Sequence, residues 1–181
     1  PSPNMPTMQT AVIYPGGCLW EGTTLSEGRG TTRPFELIGA PGLPPHAFAE
    51  AIEALAGPAL RARPYVFQPM FQKHGGAVCG GVALEVVDRG RLQSVRAGLA
   101  VIAAALEVAP ELTKWRTEAY EFIEDQLAID LLMGSVRPRL ALEAGQGLDA
   151  ATAEFSAATE KFAQRVRPHL LYPRDRGVLA A

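Results

Sequence analysis

"RPYVFQPMFQKHGGAVCGGVALEVVD", residues 63–88, decides the fold class. Over Arg63–Phe71, Tyr65, Phe67 and Phe71 alternate with Val66, Gln68 and Met70. That two-residue period is the signature of a strand. Val78–Asp88 reads as a second strand, and Gly80 and Gly81 within it mark a bulge or a close backbone approach. Between them "QKHGGA" (72–77) reads as an antiparallel connection.

Working outward, Pro34–Ala40 is a short strand with Phe35, Leu37 and Ala40 facing inward. Pro45 suits a first helical position, so a helix runs to about Ala56, with Phe48, Ile52 and Leu55 on one face and Gly57 as its cap. Nearer the start, Thr7 caps a helix over Met8–Tyr14, which Pro15-Gly16-Gly17 should break or kink; Cys18–Gly22 adds a further turn, and 23–33 is loop. Residues 1–6 are an extended Pro-rich lead-in. Downstream the period changes to helical. Leu92–Val108 carries Val95, Leu99, Ile102 and Leu106 on one face, and Ala119–Met133 ends at Gly134. Arg137–Glu143 is a short helix, and Asp149–Val166 aligns Ala151, Phe155, Ala158, Phe162 and Val166. A tail, "RPHLLYPRDRG" (167–177), follows. The expectation is an α+β fold: a small, mainly antiparallel sheet packed with several helices.

Composition narrows the function classes. The chain has 181 residues, 48% hydrophobic and 20% charged, enough for one domain with its own core. A net charge of −2, with Lys and Arg scattered, lacks the basic field of a nucleic-acid binder. No segment reaches the ~18 apolar residues of a membrane span. Cys18 and Cys79 are far apart and read as small buried hydrophobes. His46, His74 and His169 lack ligand spacing, which argues against a metal; His46 belongs on the surface, whereas His74 can line a cleft. Neither a Walker-type loop nor a dinucleotide glycine motif is present, so no cofactor is expected.

The polar loop carries the candidate chemistry. "LSEGRGTTRPFELIGAP" (25–41) concentrates acids, arginines, hydroxyls and glycines. Gly28 and Gly30 bracket Arg29, and successive N–H groups with Thr31 and Thr32 suit an anion-binding nest. Arg29 and Arg33 have forks that match a carboxylate. The alternative is a rigid turn held by internal pairs of these arginines with Glu21, Glu27 and Glu36. Tyr14, Trp20, Tyr65, Phe67, Phe71 and Trp115 are either core or a sugar-stacking wall; Trp20, beside the loop, is the one assigned to the site.

Together "PSPNMPT" (1–7), "YPGGCLWEGTTLSEGRGTTRPFELIGAP" (14–41) and "FQPMFQKHGGAVCGGVALEVVDR" (67–89) resemble the C-terminal half of the exo-β-N-acetylmuramidases, bacterial glycoside hydrolases once classed as a domain of unknown function. The resemblance covers essentially the whole chain. It departs at Gly17, where Thr is usual, at Thr24, where Asn is usual, and at Gly42, which replaces a Trp that would wall the cleft.

The resemblance implies that residues 1–181 are the C-terminal domain of a two-domain enzyme. The other domain would be Rossmann-like and would lie upstream. The opening without Met fits a cut within a longer protein. Such an enzyme releases N-acetylmuramic acid from the non-reducing end of peptidoglycan fragments, from a cleft between the domains, with the main catalytic glutamate upstream. In this chain Glu21 and Glu27 would be supporting acids that hold sugar hydroxyls or assist acid–base chemistry. Arg29 or Arg33 would pair with the lactyl carboxylate, and Asn4 would reach the sugar from the cleft edge. Trp20, Ser26, Thr31, Thr32, Glu36 and His74 complete the expected substrate-binding set. Muramyl saccharides and the upstream domain are the implied partners, and the implied location is extracytoplasmic. Two other readings are a sugar-binding module without chemistry and an interdomain or dimer scaffold.

Overall fold

The computed structural model describes residues 2–172. Of the tail, Arg167–His169 is a 3-10 turn, and the part from 173 onward lies outside the described residues. The fold is α+β, with a three-stranded antiparallel sheet and helices stacked on it.

Helix α1 (Met8–Gly17) begins at Thr7, whose hydroxyl accepts from the Thr10 amide at 3.0 Å. The expected break at Pro15 does not occur. Pro15 sits in the last turn, where little of the backbone ladder remains to lose, and α1 tightens directly into a 3-10 turn at Cys18–Gly22. The Ser94 hydroxyl repairs the local damage: it accepts from the Gly16 amide at 2.9 Å and donates to the Ile13 carbonyl at 2.8 Å. Gly16 has a packing role instead. A Cβ there would lie 1.8 Å from the Ser94 carbonyl oxygen, and one on Gly98 would lie 2.2 Å from the Gly16 carbonyl oxygen, so the two backbones touch.

Strand β1 (Leu37–Ala40) is shorter than expected, because residues 34–36 form a turn with Phe35 at φ 62°. Helix α2 (Pro45–Ala56) runs as read, burying Phe48, Ala49 and Ile52, and Gly57 follows at φ 76°. Strand β2 (Leu60–Phe67) stops before Pro69, which has no N–H for a ladder. From there the chain folds over the polar loop, and the Met70 amide donates to the Gly30 carbonyl at 2.9 Å. Strand β3 (Cys79–Val86) is central: Ile38 pairs with Val82 on one side and Ala62 with Leu84 on the other. Its Gly80 and Gly81 mark close backbone approach; a Cβ on either would lie 2.1 Å from a carbonyl oxygen, of Leu43 or Ile38.

Ile38, Ala40, Leu60, Ala62, Val82 and Leu84 face the main core, and a small cluster of Leu37, Phe67, Cys79 and Ala83 occupies the other face. Helix α3 (Ser94–Val108) packs across α1 and α2 and is buried nearly all round, from Ala97 to Ile102 and at Ala104 and Ala105; of its expected face, Val95 is exposed.

The Ala119–Met133 helix is corrected: only α4 (Ala128–Met133) is helical. The segment before it is drawn into backbone pairing with the polar loop, Thr24 N–H donating to Lys114 O at 2.9 Å and Arg116 N–H to Gly22 O at 2.9 Å. Tyr120–Ile123 is a tight turn with Glu121 and Phe122 at φ 48° and 70°. Helix α5 (Arg137–Glu143) is as read. The single helix expected over 149–166 is two, α6 (Gly147–Thr152) and α7 (Phe155–Val166). The expected stripe therefore splits. Ala151 is buried, whereas α7 buries nothing and leaves Phe162 58% exposed.

Both cysteines are free, Cys79 buried and Cys18 half-buried. Among the described residues no helix is long and apolar enough to cross a membrane.

Candidate functional site

A cleft of about 790 Å³ opens beside the polar loop. One wall is the loop, with Glu21, Thr23, Thr24, Glu27 and Arg29; the floor adds Gln72 and Lys73; the other wall is the strap 114–121. The strap is held by the backbone bonds above and by the Thr24 hydroxyl, which donates to Leu112 O at 2.9 Å and accepts from Lys114 N–H at 3.0 Å.

Local backbone geometry places the acids. The 3-10 turn ends at Gly22 and leaves Glu21 on the cleft. Ser26 exchanges both backbone bonds with Gly39 of β1, at 2.8 and 3.1 Å, which fixes Glu27 beside the sheet. Gly28 and Gly30 then take left-handed φ of 75° and 82°, and a Cβ on Gly30 would lie 2.7 Å from the Phe71 nitrogen. Three of the loop's N–H groups are spent within it: Gly28 donates to Ser26 Oγ, Thr31 to Gly28 O, and Arg33 to Thr31 Oγ1.

The side chains form an ion cluster. Arg29 donates from Nε to Glu27 Oε1 at 3.1 Å and from Nη2 to Glu21 Oε1 at 2.7 Å. Its guanidinium lies 5.0 Å over the Phe35 ring, whose edge meets Tyr14. Tyr120 donates to Glu21 Oε2 at 3.3 Å. Burial first and then the Glu21 carboxylate push the Tyr120 phenol up to about 12, so it stays a donor at neutral pH. Burial opposes the Arg29 charge, but Glu21 and then Glu27 outweigh it and raise the guanidinium's pKa.

Lys73 is the floor of the cluster. Its ammonium donates to the carbonyls of Trp20, Leu25 and Glu21 at 3.0, 3.1 and 3.3 Å. Glu27 Oε2 stands 3.1 Å from Nζ as an ion pair. Burial lowers the Lys73 pKa, against the opposing pull of Glu27. Apart from that ion pair, Glu27 Oε2 has no hydrogen-bond partner: it is a buried carboxylate oxygen on a residue 3% exposed that lines the cleft.

Of the residues expected at the site, Glu21, Glu27 and Arg29 meet at the cleft. Arg33 and Glu36 form a separate unit. Arg33 Nε and Nη2 both donate to Glu36 Oε2, at 3.0 and 2.7 Å, while Glu36 Oε1 accepts from the hydroxyls of Thr7 and Thr10. Trp20 is a core residue rather than a cleft wall: it is 1% exposed, and its indole N–H donates to Gly98 O at 3.1 Å. A ring that large beside a polar loop is worth most when wholly buried with its N–H satisfied. Ser26 is buried, Thr31 donates to Gly28 O at 2.6 Å, and Thr32 is exposed. His74 bonds Thr24 O at 2.8 Å and so braces the loop from behind. Asn4 is half-buried and is not among the residues that line the cleft. Gly42 is exposed at φ 83° against Leu112 and is not a cleft residue either.

Sequence reasoning missed Lys73, Arg116 and Tyr120. Lys73 alone left a trace, as the one ammonium in a glycine-bearing hairpin connection. No cluster of three or more metal-ligating side chains occurs among the described residues.

Comparison with known proteins agrees with this architecture. Residues 12–172 match the family described as "Exo-beta-N-acetylmuramidase NamZ, C-terminal". The chain is 37% identical over 172 residues to the peptidoglycan beta-N-acetylmuramidase NamZ of Bacillus subtilis (strain 168), covering 95% of this chain and 40% of that protein. A crystal structure of a DUF1343 family protein from Bacteroides fragilis NCTC 9343 superposes with a TM-score of 0.80 at 19% identity, over 95% of this chain and 44% of that one, a likeness of fold alone. A second from the same source gives a TM-score of 0.64 at 25% identity, over 97% of this chain and 44% of that one. The chain therefore spans about two fifths of the length of the curated relative it matches. With the match extending over residues 12–172, the chain belongs to the family of NamZ exo-β-N-acetylmuramidase C-terminal domains.

Proposed function

We propose that this chain is the C-terminal part of an exo-acting glycoside hydrolase that releases N-acetylmuramic acid from peptidoglycan fragments. Its cleft forms one half of the active site, facing a Rossmann-like domain earlier in the same protein. The observation that carries this reading is Glu27 Oε2: a carboxylate oxygen buried at the cleft with no partner beyond the Lys73 ammonium. A carboxylate oxygen in that state is costly to leave unsatisfied, and a sugar hydroxyl or acetamido N–H supplies the missing donor.

The two acids then divide the work. Glu21 has both oxygens engaged, by Arg29 and by Tyr120, so it acts as a fixed negative charge and positions Tyr120. Glu27 is the acid left to meet substrate. An oxocarbenium-like transition state gains from two carboxylates held near the sugar ring, and hydrogen bonds to its hydroxyls strengthen as the bond breaks. The principal proton donor comes from the upstream domain. The acetamido group of the substrate offers a second route to assistance at the anomeric carbon. Work on cell-wall fragments implies an extracytoplasmic protein.

The test is release of chromophore from para-nitrophenyl N-acetylmuramide by this chain alone and by the chain with its upstream domain. We expect turnover only in the longer protein, and at least a ~100-fold loss there with Glu27→Gln. Turnover by the chain alone, or full activity of E27Q, refutes the division of labour.

A scaffold reading draws support from one observation. Tyr65, Val66, Met70, Phe71 and Val78 are 43–75% exposed at the end of the β2–β3 hairpin, an apolar surface suited to docking another domain. It is compatible with the enzyme reading, and loss of turnover without loss of sugar binding would favour it.

A further inference from the structure

We propose that Arg116, on the strap, recognises a carboxylate on the ligand and makes the cleft selective for an acidic sugar over its neutral counterpart. The inference rests on the reading of the cleft as a sugar site.

Three arginines bear on the question, and their surroundings differ. Arg33 spends its fork on Glu36 Oε2. Arg29 is already neutralised by two carboxylates, Glu21 at 2.7 Å and Glu27 at 3.1 Å, so a third would enter against two like charges. Arg116 has one carboxylate near it, Glu118 at 3.7 Å, and that glutamate side chain is 76% exposed. A solvated pair of this kind contributes little and exchanges readily for a better-fitting anion.

Arg116 is also held in place. Its guanidinium lies 5.4 Å over the Tyr120 ring, and Nη2 donates to the Ala119 carbonyl at 3.2 Å. Tyr120 is in turn fixed by its bond to Glu21. Backbone N–H of Arg116 is tied to Gly22 O at 2.9 Å, which sets the side chain's origin across from the ion cluster. A guanidinium with five donors keeps several free after these contacts, and a planar fork loses little freedom on meeting a carboxylate. N-acetylmuramic acid differs from N-acetylglucosamine by a lactyl ether that ends in a carboxylate. With Glu27 Oε2 engaging a donor of the ring, a fork on the opposite wall suits that appended acid. A charge-assisted pair of this sort corresponds to about a tenfold or larger preference.

The experiment is a titration of the isotope-labelled chain with N-acetylmuramic acid and with N-acetylglucosamine, following the amide signals of residues 21–29 and 114–121. The wild type should bind muramic acid about tenfold more tightly or better. Arg116→Ala should bring muramic acid down to the level of glucosamine while leaving glucosamine unchanged, and Arg116→Lys should restore part of the difference. An unchanged preference in R116A overturns the assignment to Arg116 and leaves the sugar-site reading standing. If neither sugar moves cleft signals in the wild type, the sugar-site reading fails and this inference fails with it. Arg116 is a partly exposed strap residue, and an unchanged unfolding midpoint for R116A separates lost recognition from lost structure.

Discussion

Glu27 with Arg29 and Arg33 with Glu36 come from one short run, use the same residue types, and end in different states. The first unit is open. Glu27 gives one oxygen to Arg29 and keeps the other at the cleft with only the ion pair to Lys73, an ammonium it shares with three carbonyls. The second is closed. Both oxygens of Glu36 are filled, one by the Arg33 fork and one by the hydroxyls of Thr7 and Thr10 at the start of α1. The closed unit ties a helix start to the loop before β1, and the open one faces a cavity. What separates a strut from a site is therefore the count of satisfied lone pairs, since charge and burial are alike in the two: Glu27 is 3% and Glu36 2% exposed.

The sharpest way to break the comparison is Lys73→Met. It removes the counter-charge of Glu27 and three bonds to loop carbonyls at once. Breaking one side of a buried pair costs about 3–5 kcal/mol, and urea unfolding should read a loss of that size. A loss below about 1 kcal/mol would mean that Lys73 is not the floor of the cluster. Glu36→Gln should cost less, about 1–3 kcal/mol, and should leave sugar binding in place. Loss of binding in E36Q with stability retained would reverse the roles assigned to the two units.

The pH dependence of stability sharpens the same contrast. Burial pushes the Glu36 pKa up, but the bonds from Thr7, Arg33 and Thr10 outweigh it and the net shift is downward. A lowered folded-state pKa means stability that is fully present above the unfolded value of ~4.3 and lost as pH falls through the folded value. The deficit of E36Q against the wild type should therefore be full at neutral pH and shrink on acidification, as followed by unfolding at a series of pH values. The smallest effect is expected from Thr10→Val, which removes one of the donors to Glu36, about 1 kcal/mol in the same assay.

Much of the fold was legible because its signals are local. The alternation in 63–71 and the run 78–88 gave the hairpin, though its first strand lies at Leu60–Phe67; Pro45 and Gly57 bounded α2, and Thr7 started α1. The misses share a cause: a tertiary partner outweighed a local preference. Pro15 should end a helix, and Ser94, far along the chain, supplies the bonds that let α1 continue. Ala119–Leu127 has helical spacing, yet the preceding strap spends its amides on Gly22 and the turn at Glu121 and Phe122 goes left-handed. At the site, Glu21, Glu27 and Arg29 were visible as a dense run of charge. Tyr120 and Arg116 were not, because nothing in "RTEAYEF" marks it as the facing wall of a cleft.

By itself, the sequence determined the α+β class, the antiparallel hairpin, the family and the loop in which the acids sit, since periodicity, turn residues and a long specific motif are properties of neighbours along the chain. Only the tertiary structure decided which of two similar Arg–Glu units is closed and which is open. That outcome depends on what the rest of the fold brings to each carboxylate: two threonine hydroxyls of the α1 start for Glu36, and for Glu27 a lysine from the far hairpin that it shares with three backbone carbonyls.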